Sequence, residues 1–322
     1  MRADARMLPE AFLERLKTLI PSHRWDAVVN TFTTPAPTTF RVNTLKAAPE
    51  AVRAELAEAG FLLGGVSWWS AAFLLQRGTL RELQETRVYR EGAIYVQGLS
   101  SMLPPLVLAP EPEETVLDLT AAPGSKTTQM ACLMQGRGRL LANDSDRVRF
   151  YKLRANVQHQ GAVNVEPHLG YGETLGRRQP EAFDRVLVDA PCSVEGRFQA
   201  REPKSYRFWS LRKVHEMAHK QRRLLVAGLA ALRPGGTLVY STCTFAPEEN
   251  EAVVDWAMGQ APGAAVEPFT LALPNQMAGL TAWAGRPFHA SLQHARRILP
   301  TDQMEGFFIA KLRKTARRGA GS

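Results

Sequence analysis

Apolar residues recur at helical spacing in LPEAFLERLKTLI (residues 8–20) and PEAVRAELAEA (49–59), with the breaker cluster TTPAPTT (33–39) between them. The spacing predicts two helices in a mixed front section. From about residue 115 the pattern changes to short apolar runs, TVLDL, RLLAND, VNVEPHL, DRVLVDAP and GTLVYSTC, alternating with helical segments. That rhythm predicts an α/β fold, a parallel, doubly wound Rossmann-like sheet with crossover helices. Ligands of such sheets sit beyond the carboxyl ends of the strands, so the loops there are where chemistry is expected. The chain divides on this reading into a smaller N-terminal α+β domain (1–90), the α/β domain (91–316) and a basic tail (317–322).

The first of these loops runs from Asp118 through Ala121, Ala122, Pro123, Gly124, Ser125, Lys126 and Thr127 to Thr128. Gly124 allows close approach of backbone to a ligand, and a helix N-terminus offers free amide donors to a carboxylate. The loop fits a nucleotide-like cofactor. It is neither a phosphate loop, since Ser125 follows Gly124 and no glycine lies five positions earlier, nor a three-glycine dinucleotide fingerprint. The next strand ends in Asn143-Asp144, where an acid can accept from both hydroxyls of a ribose. Asp144 also suits a helix N-cap, and the pattern leaves both roles open.

Two later strands end in Val188-Asp189-Ala190-Pro191-Cys192 and Val239-Tyr240-Ser241-Thr242-Cys243, joined by a helix of about twenty residues that RPGG (233–236) closes. Such a crossover joins neighbouring parallel strands roughly 4.8 Å apart, which brings both thiols to one site. Single free cysteines are usually buried small hydrophobes, the reading given to Cys132 inside a helix. A pair at one sheet edge asks for thiolate chemistry.

Composition narrows the partners. The formal charge of +9 favours a polyanion. Three cysteines are too few for a disulfide framework in 322 residues and imply a reducing, cytoplasmic setting. The N-terminus has no apolar signal core. The longest apolar run, Leu224–Leu232, is about half of the roughly 20 residues a membrane span needs, so no membrane association is expected.

The chain resembles the Sun-type RNA (cytosine-5)-methyltransferase family, especially its bacterial 16S ribosomal RNA branch. The resemblance rests on FRVNTLK (40–46), QGLSSMLPPLVL (97–108), LDLTAAPGSKTTQMA (117–131), FDRVLVDAPCSVEG (183–196), LRPGGTLVYSTCTFAPEENEAVVDW (232–256) and MEGFFIAKLRK (304–314), which span nearly the whole chain. It implies an S-adenosyl-L-methionine-dependent methyltransferase domain, preceded by an RNA-recognition domain. Ala121 to Thr127 then cradle the methionine end of the cofactor, Asp144 holds its ribose, Arg149 braces that turn and Tyr171 stands at the adenine end. Cys243 is the nucleophile, Cys192 assists product release, Asp189 hydrogen-bonds the cytosine beside the cofactor, and Lys126 polarises the pocket; either Lys126 or a nearby helix N-terminus is expected to lower the thiol pKa. Adding a thiolate at carbon 6 makes an enamine of a ring whose carbon 5 is otherwise a poor nucleophile. A base in a paired region must also leave its stack.

Three positions depart from the family: Tyr171 replaces an aspartate, Val194 a glycine after Pro-Cys, and Gly98 an acidic residue. The basic segments LRKVHEMAHKQRR (211–223) and KLRKTARR (311–318) are read singly as solvated faces, while Arg201, Lys204, Arg207, Trp209 and Arg212, beside a methyl-transfer site, become expected RNA contacts. Trp68 and Trp69 are read as packed. The expected partner is RNA, ribosomal before transfer RNA, in an assembling subunit or naked, with the protein acting as a monomer and no added C-terminal RNA-binding domain. Two further readings are a DNA cytosine methyltransferase, with the Pro-Cys cysteine as nucleophile, and a non-catalytic ribosome-assembly factor. His215-Glu-Met-Ala-His219 fits a zinc pattern, but Arg222 and Leu225 break its longer form, so a solvent-facing helix is expected and no metal.

Overall fold

The computed structural model describes residues 7–315, so the basic tail and the end of KLRKTARR lie outside the described residues. Helices α1 (Glu10–Leu19) and α2 (Trp25–Thr31) open the chain. Phe12, Leu16 and Leu19 form the buried stripe of α1 at the i, i+4, i+7 spacing of the sequence. That stripe packs with Phe32 against Phe198, Phe245 and Leu299, residues of the second half of the chain. The first helices therefore belong with the larger unit.

Strands β1 (Thr39–Val42), β2 (Leu62–Gly65), β3 (Ala72–Arg77) and β4 (Ile94–Val96) form an antiparallel sheet in the order β2-β3-β1-β4. Val52 and Leu56 of α3 (Pro49–Glu58), Leu83 of α4 (Leu80–Glu85) and Val88 of α5 (Arg87–Arg90) pack on it. Because β4 pairs with β1, the small sheet runs past the division drawn at residue 90, to Val96. Arg41, fully buried, reaches out of β1 and donates to Thr128 Oγ1 (2.7 Å) and the Ser125 carbonyl (3.0 Å), tying this sheet to the loop at Gly124.

The large sheet follows α6 (Leu99–Leu108). It alternates β5 (Thr115–Asp118), α7 (Ser125–Leu133), β6 (Arg139–Asp144), α8 (Arg147–Gln160), β7 (Val165–Leu169), α9 (Gly172–Arg178), β8 (Phe183–Asp189), α10 (Leu211–Ala231), β9 (Leu232–Thr242) and α11 (Glu251–Gln260). Short strands β10 (Ala264–Val266), β11 (Gln276–Ala278), β12 (Ala282–Trp283), β13 (Arg286–Pro287) and β14 (Arg296–Ile298) lead to β15 (Phe307–Lys314). The order is β11-β14-β15-β9-β8-β5-β6-β7, with β10 on β15. Strands β5 to β9 run parallel, as the apolar runs predict, and β15 is antiparallel to β9. Helices cover both faces, which is why Val186–Val188 and Leu238–Thr242 are buried throughout rather than alternately. The order reverses between β6 and β8, on either side of β5, which opens a crevice at their carboxyl ends. One detail differs from the sequence reading. Arg233–Gly236 do not close α10 but sit inside β9, as a bulge between the pairs Phe183/Leu232 and Arg185/Thr237. Among the described residues no helix is long and apolar enough to cross a membrane.

Candidate active site

A cavity of about 380 Å³ fills that crevice. Its first end lies at the β5 and β6 loops. Gly124, at φ +106°, caps α7 in a conformation that side chains rarely adopt, and a Cβ there would stand 3.0 Å from Leu153 Cδ1 of α8. The glycine is thus required by the turn and by packing on α8. Gly124 does not line the cavity, whereas Ala121, Ala122, Pro123, Ser125 and Lys126 do. Thr127 turns inward and donates to Asp118 Oδ2 (2.7 Å), a positioning contact in place of the expected cofactor contact.

Asp144 is buried, accepting from the Ala122 amide (3.1 Å) and the Asp146 amide (3.0 Å), with the Arg149 guanidinium 3.5 Å away. Arg149 also donates to the Ala122 carbonyl, bracing the turn. The N-cap of α8 is Asp146, whose carboxylate accepts from the Arg149 amide (2.8 Å). That removes the capping role from Asp144 and leaves its carboxylate on the cavity wall.

Asp118, absent from the residues singled out in the sequence, also lines the cavity. Its Oδ1 is buried without a hydrogen-bond partner, and burial pushes its carboxyl up to about 7, against the Thr127 hydrogen bond. Tyr171 is a correction. It is 72% exposed, at the N-cap of α9, and it is the following Gly172 and Glu173 that line the cavity, because the chain turns into α9 with the ring facing outward.

At the other end, the Cys192 and Cys243 sulfurs lie 3.4 Å apart, both half-buried. Buried carboxylates at long sequence separation hold their loops. Glu249 accepts from the Ser193 amide (3.0 Å) and Gln221 (2.8 Å), and burial pushes it up to about 7. Glu195 accepts from Thr244 Oγ1 (2.8 Å), the Phe245 amide (3.0 Å) and Trp209 Nε1 (2.8 Å). The Cys192 thiol is pushed well above its ordinary range, first by its hydrogen bond with Cys243 and then by burial. Val194 adopts φ +55°, the left-handed region open to glycine and costly for a β-branched side chain, by about 1–3 kcal/mol. Glycine is therefore the relaxed residue at this position.

Between the ends, Asp189 accepts from Lys126 Nζ (2.6 Å) and Ser241 Oγ (2.7 Å), and Lys126 also donates to Ser101 Oγ (2.8 Å). Lys126 is thus committed to Asp189 rather than turned to the thiols. The cation beside them is Arg197, missed in the sequence, which lines the cavity and donates to Glu305 Oε1 (3.1 Å). Its guanidinium is held above its ordinary value by Glu305 first, against burial, and then by Cys243. The Glu305 carboxylate lies 3.9 Å from where a Cβ on Gly98 would stand, so an acid reaches the Gly98 position from the far end of the chain. Nothing near Gly98 in sequence signals that.

Trp209 is a second correction. It packs edge-on against Phe12 and Phe198 and spends its N–H on Glu195, so it is part of a core. The exposed aromatic of that loop is Phe208, 75% exposed with Arg207 stacked over it at 4.5 Å. Arg201, Lys204, Arg207 and Arg212 are exposed. Cys132 is buried against Asn43, and Trp68 and Trp69 are half-buried against apolar clusters. His215 and His219 lie exposed on α10, and among the described residues no three His, Cys, Asp or Glu are grouped to hold a metal.

The pattern of the 16S rRNA methyltransferase RsmB/F family matches residues 105–313, and that of the N-terminal domain of 16S rRNA methyltransferase RsmF matches 8–98. Ribosomal RNA small subunit methyltransferase F of Cronobacter sakazakii is 38% identical over 317 residues, 96% of this chain and 64% of that protein. The chain therefore spans just under two thirds of that relative's length. A tRNA (cytosine(49)-C(5))-methyltransferase of Pyrococcus abyssi is 40% identical over 276 residues, 85% of this chain and 87% of that one. Among solved structures, a methyltransferase homolog protein from Pyrococcus horikoshii has a TM-score of 0.80 at 34% identity, covering 95% of this chain and 100% of that one.

Proposed function

Because this chain belongs to the 16S rRNA methyltransferase RsmB/F family, we propose that it transfers a methyl group from S-adenosylmethionine to carbon 5 of a cytosine in RNA, ribosomal RNA first. One observation carries the reading: two sulfurs 3.4 Å apart open into the same cavity as the Gly124 loop and the buried acids Asp118 and Asp144. The cavity fits the cofactor on its own chemistry. The unpartnered Asp118 Oδ1 suits an ammonium group, and Asp144, free of capping, suits ribose hydroxyls.

The cofactor supplies an electrophilic methyl group on a sulfonium sulfur. Cys243, as thiolate, adds to carbon 6 and moves the ring electrons toward carbon 5, the atom that takes the methyl group. Asp189, fixed between Lys126 and Ser241, hydrogen-bonds the base and orients it. Cys192 is kept protonated first by its hydrogen bond with Cys243, then by burial and then by the charge of Cys243. Once Cys243 is bonded to carbon 6 the first and the last of these are gone. Cys192 can then lose its proton to solvent and take the one on carbon 5, and the C–S bond breaks as the ring double bond returns. Arg201, Lys204, Arg207 and Arg212 are proposed RNA contacts.

A transfer RNA substrate is the second reading, favoured by the Pyrococcus abyssi relative, of which this chain covers 87%. A non-catalytic assembly factor is the third, and failure to bind S-adenosylmethionine would favour it. Bisulfite mapping of total RNA from cells with and without the gene tests all three. A cytosine in ribosomal RNA that loses protection upholds the proposal, one in transfer RNA moves the substrate, and unchanged maps reject cytosine-5 transfer.

A further inference from the structure

A second hollow, of about 310 Å³, adjoins the catalytic cavity. Arg197 and Glu305 line both spaces and form the divide between them. The far wall is the turn after α2, with Thr34 and Pro35, and Pro300 and Thr301 before β15. The pair at the divide is open to solvent, its side chains 59% and 26% exposed. A planar guanidinium carries five donors, and one bond to a carboxylate leaves others for a second anion. The rim continues through Gln199 into the loop that carries Lys204, Arg207 and the exposed Phe208.

A strand whose base enters the catalytic cavity must carry its backbone over one lip of it. On this side the lip bears a cation and then a hollow, while Glu202 on the outer rim repels a phosphate. We propose that the hollow takes the nucleotide adjoining the target cytosine, and that Arg197 grips the phosphodiester between them in exchange for Glu305. This rests on the reading of the chain as an RNA methyltransferase. It makes Glu305 a competitor of the RNA rather than its ligand.

The two residues must then act with opposite sign, which a merely structural ion pair would not produce. Binding of short single-stranded ribosomal RNA fragments to the full chain is measured across a salt series, with methylation kinetics in parallel. Arg197→Ala should weaken RNA binding by about tenfold and reduce the salt slope by about one, raising KM by a larger factor than it lowers kcat. Glu305→Gln should tighten binding, and Arg197→Lys should restore the slope but only part of the affinity. S-adenosylhomocysteine affinity, unchanged in every variant, certifies an intact fold. Weakening by both Arg197→Ala and Glu305→Gln, or an unaltered slope in Arg197→Ala beside a wild type that methylates, overturns the subsite alone. A wild type that binds RNA with these slopes yet methylates no cytosine overturns the function and leaves the subsite standing, and a wild type that binds no RNA overturns both.

Discussion

The two ends of the catalytic cavity are built by different means. Around Gly124, the bonds that shape the turn lie within or between two neighbouring strand-to-helix turns, Ala122 to Asp144, Asp146 to Arg149 and Arg149 back to Ala122, with Arg41 of β1 as the long-range addition. Around the sulfurs, the loops are held by partners far along the chain, Ser193 by Glu249 at 56 positions and Arg197 by Glu305 at 108. A local frame can form as soon as two strands pair. A frame of acids from distant segments forms only with the whole sheet, so the thiol end depends more on global stability than the turn at Gly124 does.

The sharpest way to separate the ends is to remove one sulfur. Cys243→Ala should lower methyl transfer by about a thousandfold or more while cofactor affinity stays at the wild-type value. Cys192→Ala should instead accumulate a protein–RNA adduct that survives a denaturing gel. The opposite assignment of adducts would give the nucleophile's part to Cys192 and break the scheme. At the other end, Asp144→Asn should weaken S-adenosylmethionine binding by about ten- to a hundredfold by calorimetry. Its neighbour serves as control: Asp146→Ala should cost about 1 kcal/mol of stability with little change in cofactor affinity. If Asp146→Ala lost the affinity instead, the division of labour between these two acids would be wrong.

The smallest effect is a pH dependence at the cofactor end. Asp118, pushed up to about 7 by burial, is largely protonated below that value and gains its charge above it. Affinity for the cationic amine of the cofactor should therefore rise as pH climbs through about 7, by up to about tenfold per unit on the acid side, and Asp118→Asn should flatten the profile. The sign for stability is the reverse. A carboxyl with a raised folded pKa contributes stability that is fully present below its ordinary value of 3.8 and lost as pH rises through about 7. Thermal melts without cofactor at pH 5 and pH 8 check it.

The core strands were legible because a sheet covered on both faces leaves unbroken apolar runs, Val186–Val188 among them. The juxtaposition of the thiols was legible too, since β8 and β9 are joined by one crossover helix. The short strands β10 to β14 were not: each has three residues or fewer, too short to display a period. Arg197 and Glu305 were hidden for another reason. Their meaning lies in a contact across the fold, which no local pattern displays even though Glu305 falls inside MEGFFIAKLRK. Trp209 misled because an aromatic among basic residues looks the same in sequence whether it faces solvent or packs on Phe12.

Gly196 lies between the loops of the two sulfurs. Its amide donates to the Cys243 carbonyl (2.9 Å), and a Cβ on it would stand 2.2 Å from the Gly306 carbonyl oxygen. The segment just beyond Cys192 is thereby clasped to the residue that bears the other thiol, with β15's approach closing over both. The backbone that follows one sulfur is thus hydrogen-bonded to the backbone that carries the other, so a side chain larger than hydrogen at residue 196 would part the two loops.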